Sequence, residues 1–236
     1  MSHKLTRFSK SVLEQPQCIL PSRFEEIASV ILTEDRASLH KAAMDAENSR
    51  DKRSNDLAET EVGILRIEGT LTNKPSMFGA LCGLTSYQEL LQQTDELCAM
   101  DSVETIMMQV DSSGGEAFNL FSAATQIKAK CGSAGKRLIA YIDGSSASAA
   151  YGLTAVADEV IIHPDAMAGS IGVVVRLTNT NQAEKDAGIN TTYITFGKSK
   201  VPFDEEGEFR EEFTQDIQER VNELGAQFIS HVASNR

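Results

Sequence analysis

The chain has 236 residues, 41% of them hydrophobic, enough for one large domain or a domain with an extension. Its net charge of −12, with no cluster of Lys or Arg, excludes the electrostatic footprint of a nucleic-acid binder. No apolar run approaches the ~20 residues that a membrane-spanning helix needs, so no span is expected. Residues 1–56 differ in character from the rest of the chain. Pro16 and Pro21 break the first part, and Phe24, Ile27 and Ile31 have helical spacing ahead of a charged connector near 48–55. This predicts a helical N-terminal extension and linker: a docking arm, a removable pro-segment or a surface appendage. The basic start lacks the apolar core of a secretion signal.

From residue 57 strands and helices alternate. A β-type run at 61–71 is followed by a loop at 72–83 and a helix opened by Thr85. The run at 103–110 is apolar enough to predict a strand buried on both faces of a parallel sheet. It leads into Asp111-Ser112-Ser113-Gly114-Gly115, where the glycine pair permits a tight turn with N–H groups facing outward. Those N–H groups suit a phosphate or a developing oxyanion, or simply an ordinary strand-to-helix turn. The segment lacks the P-loop and dinucleotide fingerprints, so nucleotide binding falls away. A helix at 116–130, a strand at 137–142, a short helix to about 156 and a strand at 159–162 come next. Further strands are expected at 169–177 and 190–196, with a short helix at 180–187 and a long amphipathic one at 208–233. The alternation predicts an α/β domain over 57–236 with a mainly parallel sheet flanked by helices.

Four cysteines (Cys18, Cys82, Cys98, Cys131) are scattered without CxxC spacing or a nearby His. That argues against zinc and against a disulfide framework, and suits reduced thiols, mostly buried. No cofactor or metal is called for.

The chemistry concentrates near Ser148, in Ala147-Ser148-Ala149-Ala150, where an apolar strand turns into a helix. A serine there, among residues too small to cover it, is placed to act as a nucleophile, and the helix N-terminus favours developing negative charge. Alternatively Ser145, Ser146 and Ser148 only cap that helix. A serine hydroxyl needs a base. His163, beside Asp158 and Asp165, is one choice. The other is a lysine in Gly197-Lys198-Ser199-Lys200, because a desolvated amine falls from its free pKa of ~10.4 toward neutrality. Ser170 could aim that amine. Two solvated surface lysines are the plainer alternative.

Asp111 to Gly115, Ala147 to Tyr151, Ala157-Asp158, Gly169-Ser170-Ile171-Gly172-Val173 and Gly197 to Lys200 together resemble the signal-peptide-peptidase-A family of serine peptidases. That family shares the crotonase fold of the Clp protease proteolytic subunit. The stretch from Gly69-Thr70-Leu71 to Gly83-Leu84-Thr85-Ser86-Tyr87 looks like its phage branch, the capsid-assembly (prohead) proteases. The resemblance implies a crotonase/Clp-like α/β fold, Ser148 as nucleophile and Lys200 as general base, with Lys198 its rival. It implies that Ser170 bonds the amine, and that the N–H groups of Gly114 and Ala149 form the oxyanion hole. Backbone after Gly115 and near Gly172 would hold the substrate as an added strand. Substrates would be phage scaffold, capsid or portal proteins, cut in the host cytoplasm within the prohead, by a homo-oligomer without metal or cofactor. Two departures stand out: the motif has Ser113 for the family's usual proline and alanine at both 149 and 150 where the family has glycine at one or both, and the chain is C-terminally short relative to the family. An inactive assembly protein with this fold, or a crotonase-like acyl-thioester enzyme, are the alternatives.

Overall fold

The computed structural model describes residues 16–20, 61–75, 84–197 and 200–236. The expected helix near 24–31 and most of the 72–83 loop lie outside them. Among the described residues one seven-stranded sheet organises the chain. Its strands are β1 (Gln17–Ile19), β2 (Val62–Thr72), β3 (Thr85–Ser86), β4 (Thr105–Glu116), β5 (Arg137–Ala147), β6 (Glu159–Ile162) and β7 (Met167–Gly169). The order is β3-β2-β4-β5-β6, with β7 beside the end of β5 and β1 beside the end of β4. Every pairing is parallel except β1 with β4. This is the expected α/β class with a mainly parallel sheet flanked by helices.

The helices are α1 (Tyr87–Cys98), α2 (Leu120–Ser133), α3 (Ala149–Thr154), α4 (Asn181–Asp186) and α5 (Glu211–Asn235). Ser86 opens α1 with a capping box: its hydroxyl accepts from the Glu89 N–H, and the Glu89 carboxylate accepts from the Ser86 N–H. Leu90 of α1, Leu120 and Ile127 of α2 and Leu153 of α3 are fully buried, in one core with Leu65, Ile67, Ile106, Met108, Val110, Leu138 and Ile142 of the sheet. Phe228 of α5 joins them, edge-on to Phe121 at 5.5 Å.

Several expectations shift. The strand expected at 103–110 is not buried on both faces: Ile106, Met108 and Val110 are buried while Met107 and Gln109 are only half-buried, because the core packs on one face. The 111–115 segment is not a turn but the continuation of β4, held between β2 and β5 and capped laterally by β1. The strands expected at 169–177 and 190–196 are absent among the described residues, apart from β7 and a single bridge from Val174 to Gln17. A strand needs a neighbour for its N–H and C=O groups, and beyond β6 and β7 the described residues supply none. Ile194 and Phe196 are left 96% and 99% exposed. The short strand β1, inside the segment expected to be a separate helical extension, was not foreseen, nor was β3, which pairs Thr85 and Ser86 with β2 just before the helix expected to open at Thr85.

Candidate active site

β5 delivers Ser148 to the mouth of α3. Parallel pairing of Ser145, Ser146 and Ala147 with β7 carries the strand to its last residue, and the Ser148 N–H donates to the Gly169 carbonyl at 2.7 Å. The chain then reverses in one step. Ser148 has φ 53° and ψ −114°, a backbone conformation that a side chain other than hydrogen rarely adopts. Its carbonyl accepts from the Gly152 N–H at 3.0 Å, which starts α3, but its hydroxyl makes no cap bond. The capping alternative is therefore not what the structure shows for Ser148. Nor do its neighbours cap: the Ser146 hydroxyl pairs with Thr154 Oγ1 at 3.1 Å, and the Ser145 N–H donates to Asp111 Oδ1 at 2.9 Å.

Gly114 lies directly against this reversal. A Cβ on Gly114 would stand 2.9 Å from the Ala147 carbonyl oxygen and 3.1 Å from the Ala149 nitrogen. Its φ of +98° suits glycine alone. The structure thus brings together Gly114, Ser148 and Ala149. Ala149 holds the first helical position, where an N–H has no partner within its own helix. The Gly114 N–H donates to the Ser112 hydroxyl at 3.2 Å, and that hydroxyl donates onward to the Gly69 carbonyl at 2.6 Å, which ties the end of β4 to a register shift in β2.

The remaining sequence candidates are placed less closely. Ser170 follows the Gly169 that accepts from Ser148; it has φ +57° and is exposed. Gly172 is exposed too, and its carbonyl is 3.5 Å from the Ser148 hydroxyl, a weak bond at most. Gly115 is buried in the β4 ladder, paired with Leu71 on one side and Cys18 on the other. Lys200 is exposed, with its stem near Gly197; among the described residues no hydrogen bond joins it to Ser148 or Ser170. Lys198 lies outside the described residues. His163 is a half-exposed loop residue whose ring accepts from the Asp165 N–H at 3.2 Å, with nothing linking it to Ser148.

The residue that sequence reasoning missed is Cys18. It is fully buried, and its carbonyl oxygen lies against Gly114. Burial pushes this thiol up to about 12, against a smaller opposing effect of Ser148. Ser148 itself is only 2% exposed. The signal available in the sequence was the apolar Cys18-Ile19-Leu20 framed by two prolines. Cys131 is a second buried thiol raised to about 12, mainly by burial and then by neighbouring Cys98. Neither Cys131 nor Cys98 bears on the site at Ser148. Among the described residues no cluster of His, Cys, Asp or Glu could hold a metal ion. None of the described helices is long and apolar enough to cross a membrane.

Comparison with known proteins agrees with this geometry. Residues 130–236 match Peptidase family S49. The matched segment holds Ser148, β7 and α5. The chain is 29% identical over 159 residues to a probable protease SohB of Haemophilus influenzae, covering 66% of this chain and 45% of that protein. A putative protease of Methanocaldococcus jannaschii is 33% identical over 145 residues, 60% of this chain and 45% of the other. The capsid assembly protease C of Escherichia phage lambda is more distant, 23% identical over 173 residues, 73% of this chain and 39% of the phage protein. The chain thus spans less than half the length of these curated relatives. Together the matches support a peptidase of the S49 type.

Proposed function

We propose that this chain is a serine endopeptidase in which Ser148 is the nucleophile and Lys200 the general base. The observation that carries the reading is the strained reversal at Ser148, pressed against Gly114 and Ala149. A serine that only capped a helix would not need φ 53°, ψ −114°, and would spend its hydroxyl on the cap. In the reaction the Ser148 oxygen attacks a peptide carbonyl and the lysine amine accepts its proton. The N–H groups of Gly114 and Ala149 hold the tetrahedral oxyanion, with the oxygen replacing Ser112 as acceptor from Gly114. Collapse returns the proton to the leaving amine, and water then clears the acyl ester.

A solvated lysine is an ammonium ion at neutral pH, so the loop at 197–200 must fold onto Ser148 and leave water behind. We assign that step to homo-oligomer assembly, in which a second copy covers Ile194 and Phe196. Ser170 would then accept a hydrogen bond from the amine. Similarity to a phage protein named as a capsid assembly protease supports scaffold, capsid or portal proteins as substrates, cut inside the prohead in the host cytoplasm. Residues 1–56 would serve as an appendage to a peptidase domain at 57–236.

The test is cleavage of co-expressed capsid and scaffold proteins, read by mass spectrometry. Ser148→Ala and Lys200→Ala each abolish cleavage while Lys198→Ala spares it. Unchanged processing by Ser148→Ala overturns the assignment. Loss with Lys198→Ala but not Lys200→Ala moves the base by two residues. The exposed Lys200 also favours one second reading, an inactive assembly protein; processing absent from the unaltered chain would point there.

A further inference from the structure

β1 lies where a substrate strand belongs. Residues 17–19 run antiparallel to Gly114, Gly115 and Glu116, in the register Gln17 to Glu116, Cys18 to Gly115 and Ile19 to Gly114. The Leu20 N–H donates to the Ser113 carbonyl at 2.9 Å, and the Ala117 N–H donates to the Pro16 carbonyl at 3.2 Å. On its other edge Gln17 exchanges two 2.9 Å bonds with Val174, N–H to carbonyl in both directions. Residues 16–20 are thus bound by their main chain along β4, and Gln17 is bound on its other edge as well, the way an extended peptide is held by strand addition. The Cys18 carbonyl oxygen comes within 2.1 Å of where a Gly114 Cβ would be, and that point is 3.1 Å from the Ala149 nitrogen. The Cys18 carbonyl therefore lies close against Gly114, on the side of that glycine nearest the start of α3.

We propose that residues 16–20 are a built-in, substrate-mimicking latch that holds the peptidase site shut until it is displaced. The proposal rests on the peptidase reading of Ser148. In the latched state Ser148 is buried, and its hydroxyl lies 3.5 Å from the Gly172 carbonyl. The latch is tethered to the same chain, so it competes with substrate intramolecularly. Its sequence also describes what the groove accepts: an extended apolar peptide with a small side chain, here that of Cys18, beside Ser148.

A staple tests this. Gln17→Cys with Val174→Cys, on a Cys18→Ser background, places two thiols on a directly hydrogen-bonded antiparallel pair whose Cα atoms are about 5.5 Å apart, within disulfide reach. Hydrolysis of fluorescein-labelled casein is expected to be at least tenfold slower with the staple oxidised than reduced. Cys18→Ser alone should ignore the reductant. Equal rates for the oxidised and reduced staple overturn the latch. A second readout needs no catalysis. In the full chain carrying Ser148→Ala, N-ethylmaleimide labelling of Cys18 is followed by peptide mapping, with and without a peptide of residues 15–22 carrying Cys18→Ala. Competition by the peptide is expected to speed labelling at least tenfold, and labelling indifferent to the peptide overturns the latch. Accelerated labelling without any casein hydrolysis keeps the latch and removes the peptidase reading.

Discussion

Gly114→Ala separates two ways in which a glycine can be required. At φ +98° an alanine carries a backbone strain of about 2 kcal/mol. Its Cβ would also stand 2.1 Å from the Cys18 carbonyl oxygen and 2.9 Å from that of Ala147, both backbone atoms that cannot rotate away. β1 must lift, and losing the Leu20–Ser113 and Pro16–Ala117 bonds costs about 1 kcal/mol each. The sum is about 4 kcal/mol, or roughly 8–16 °C in Tm for a domain of this size. Gly135→Ala is the control. Its φ is +69° but a Cβ there meets nothing within 4 Å, so only the conformational part applies, about 1–2 kcal/mol and roughly 2–8 °C. Thermal melts followed by circular dichroism compare the two. If Gly114→Ala melts together with Gly135→Ala, the close approach of β1 to Gly114 does not exist in solution, and the argument built on it fails.

Ser148→Gly relieves the strain at φ 53°, ψ −114° and should raise Tm by several degrees, from about 1–3 kcal/mol, while removing all hydrolysis; a lower Tm would show that no strain is stored there. The thiols of Cys18 and Cys131 are held at about 12 when folded against a reference of 9.0. The native state therefore keeps protons that the unfolded chain gives up, and their contribution to stability is complete below pH 9 and lost as pH rises toward 12. Denaturant midpoints measured from pH 8 to pH 10.5 should fall, and less steeply in a Cys18→Ala, Cys131→Ala double variant; parallel slopes would contradict the burial of both thiols.

The central strands were readable because their pattern is local. Ile106, Met108 and Val110, or Leu138, Ala140 and Ile142, alternate with less apolar residues, and turn residues separate the helices. Small residues at a strand-to-helix junction marked Ser148 as a candidate, with a helix cap as the alternative, and the family resemblance gave it the nucleophile's role. What escaped depends on distant partners. β1 is three residues between prolines whose pairing partner lies about a hundred residues away, and no period exists in so short a run. Residues 111–115 read as a turn because two glycines usually make one, yet Ser112 is pinned to Gly69 and β1 closes the edge, so the strand continues. The runs 169–177 and 190–196 have strand-like composition, but a strand at a sheet's edge needs a neighbour that the described residues do not provide. The family resemblance named Lys200 as the base, but the structure leaves that residue exposed, and no local pattern in the sequence shows what would bring it to the hydroxyl.

The central claim is that the hydroxyl at position 148 forms the covalent intermediate. It is tested by acid-quenching the full chain during turnover of a small peptide p-nitrophenyl ester and mapping the adduct by mass spectrometry. An acyl group on the fragment carrying Ser148, absent from Ser148→Ala, is the predicted result. Ester turnover that persists in Ser148→Ala, with no adduct at Ser148 in the unaltered chain, would contradict it.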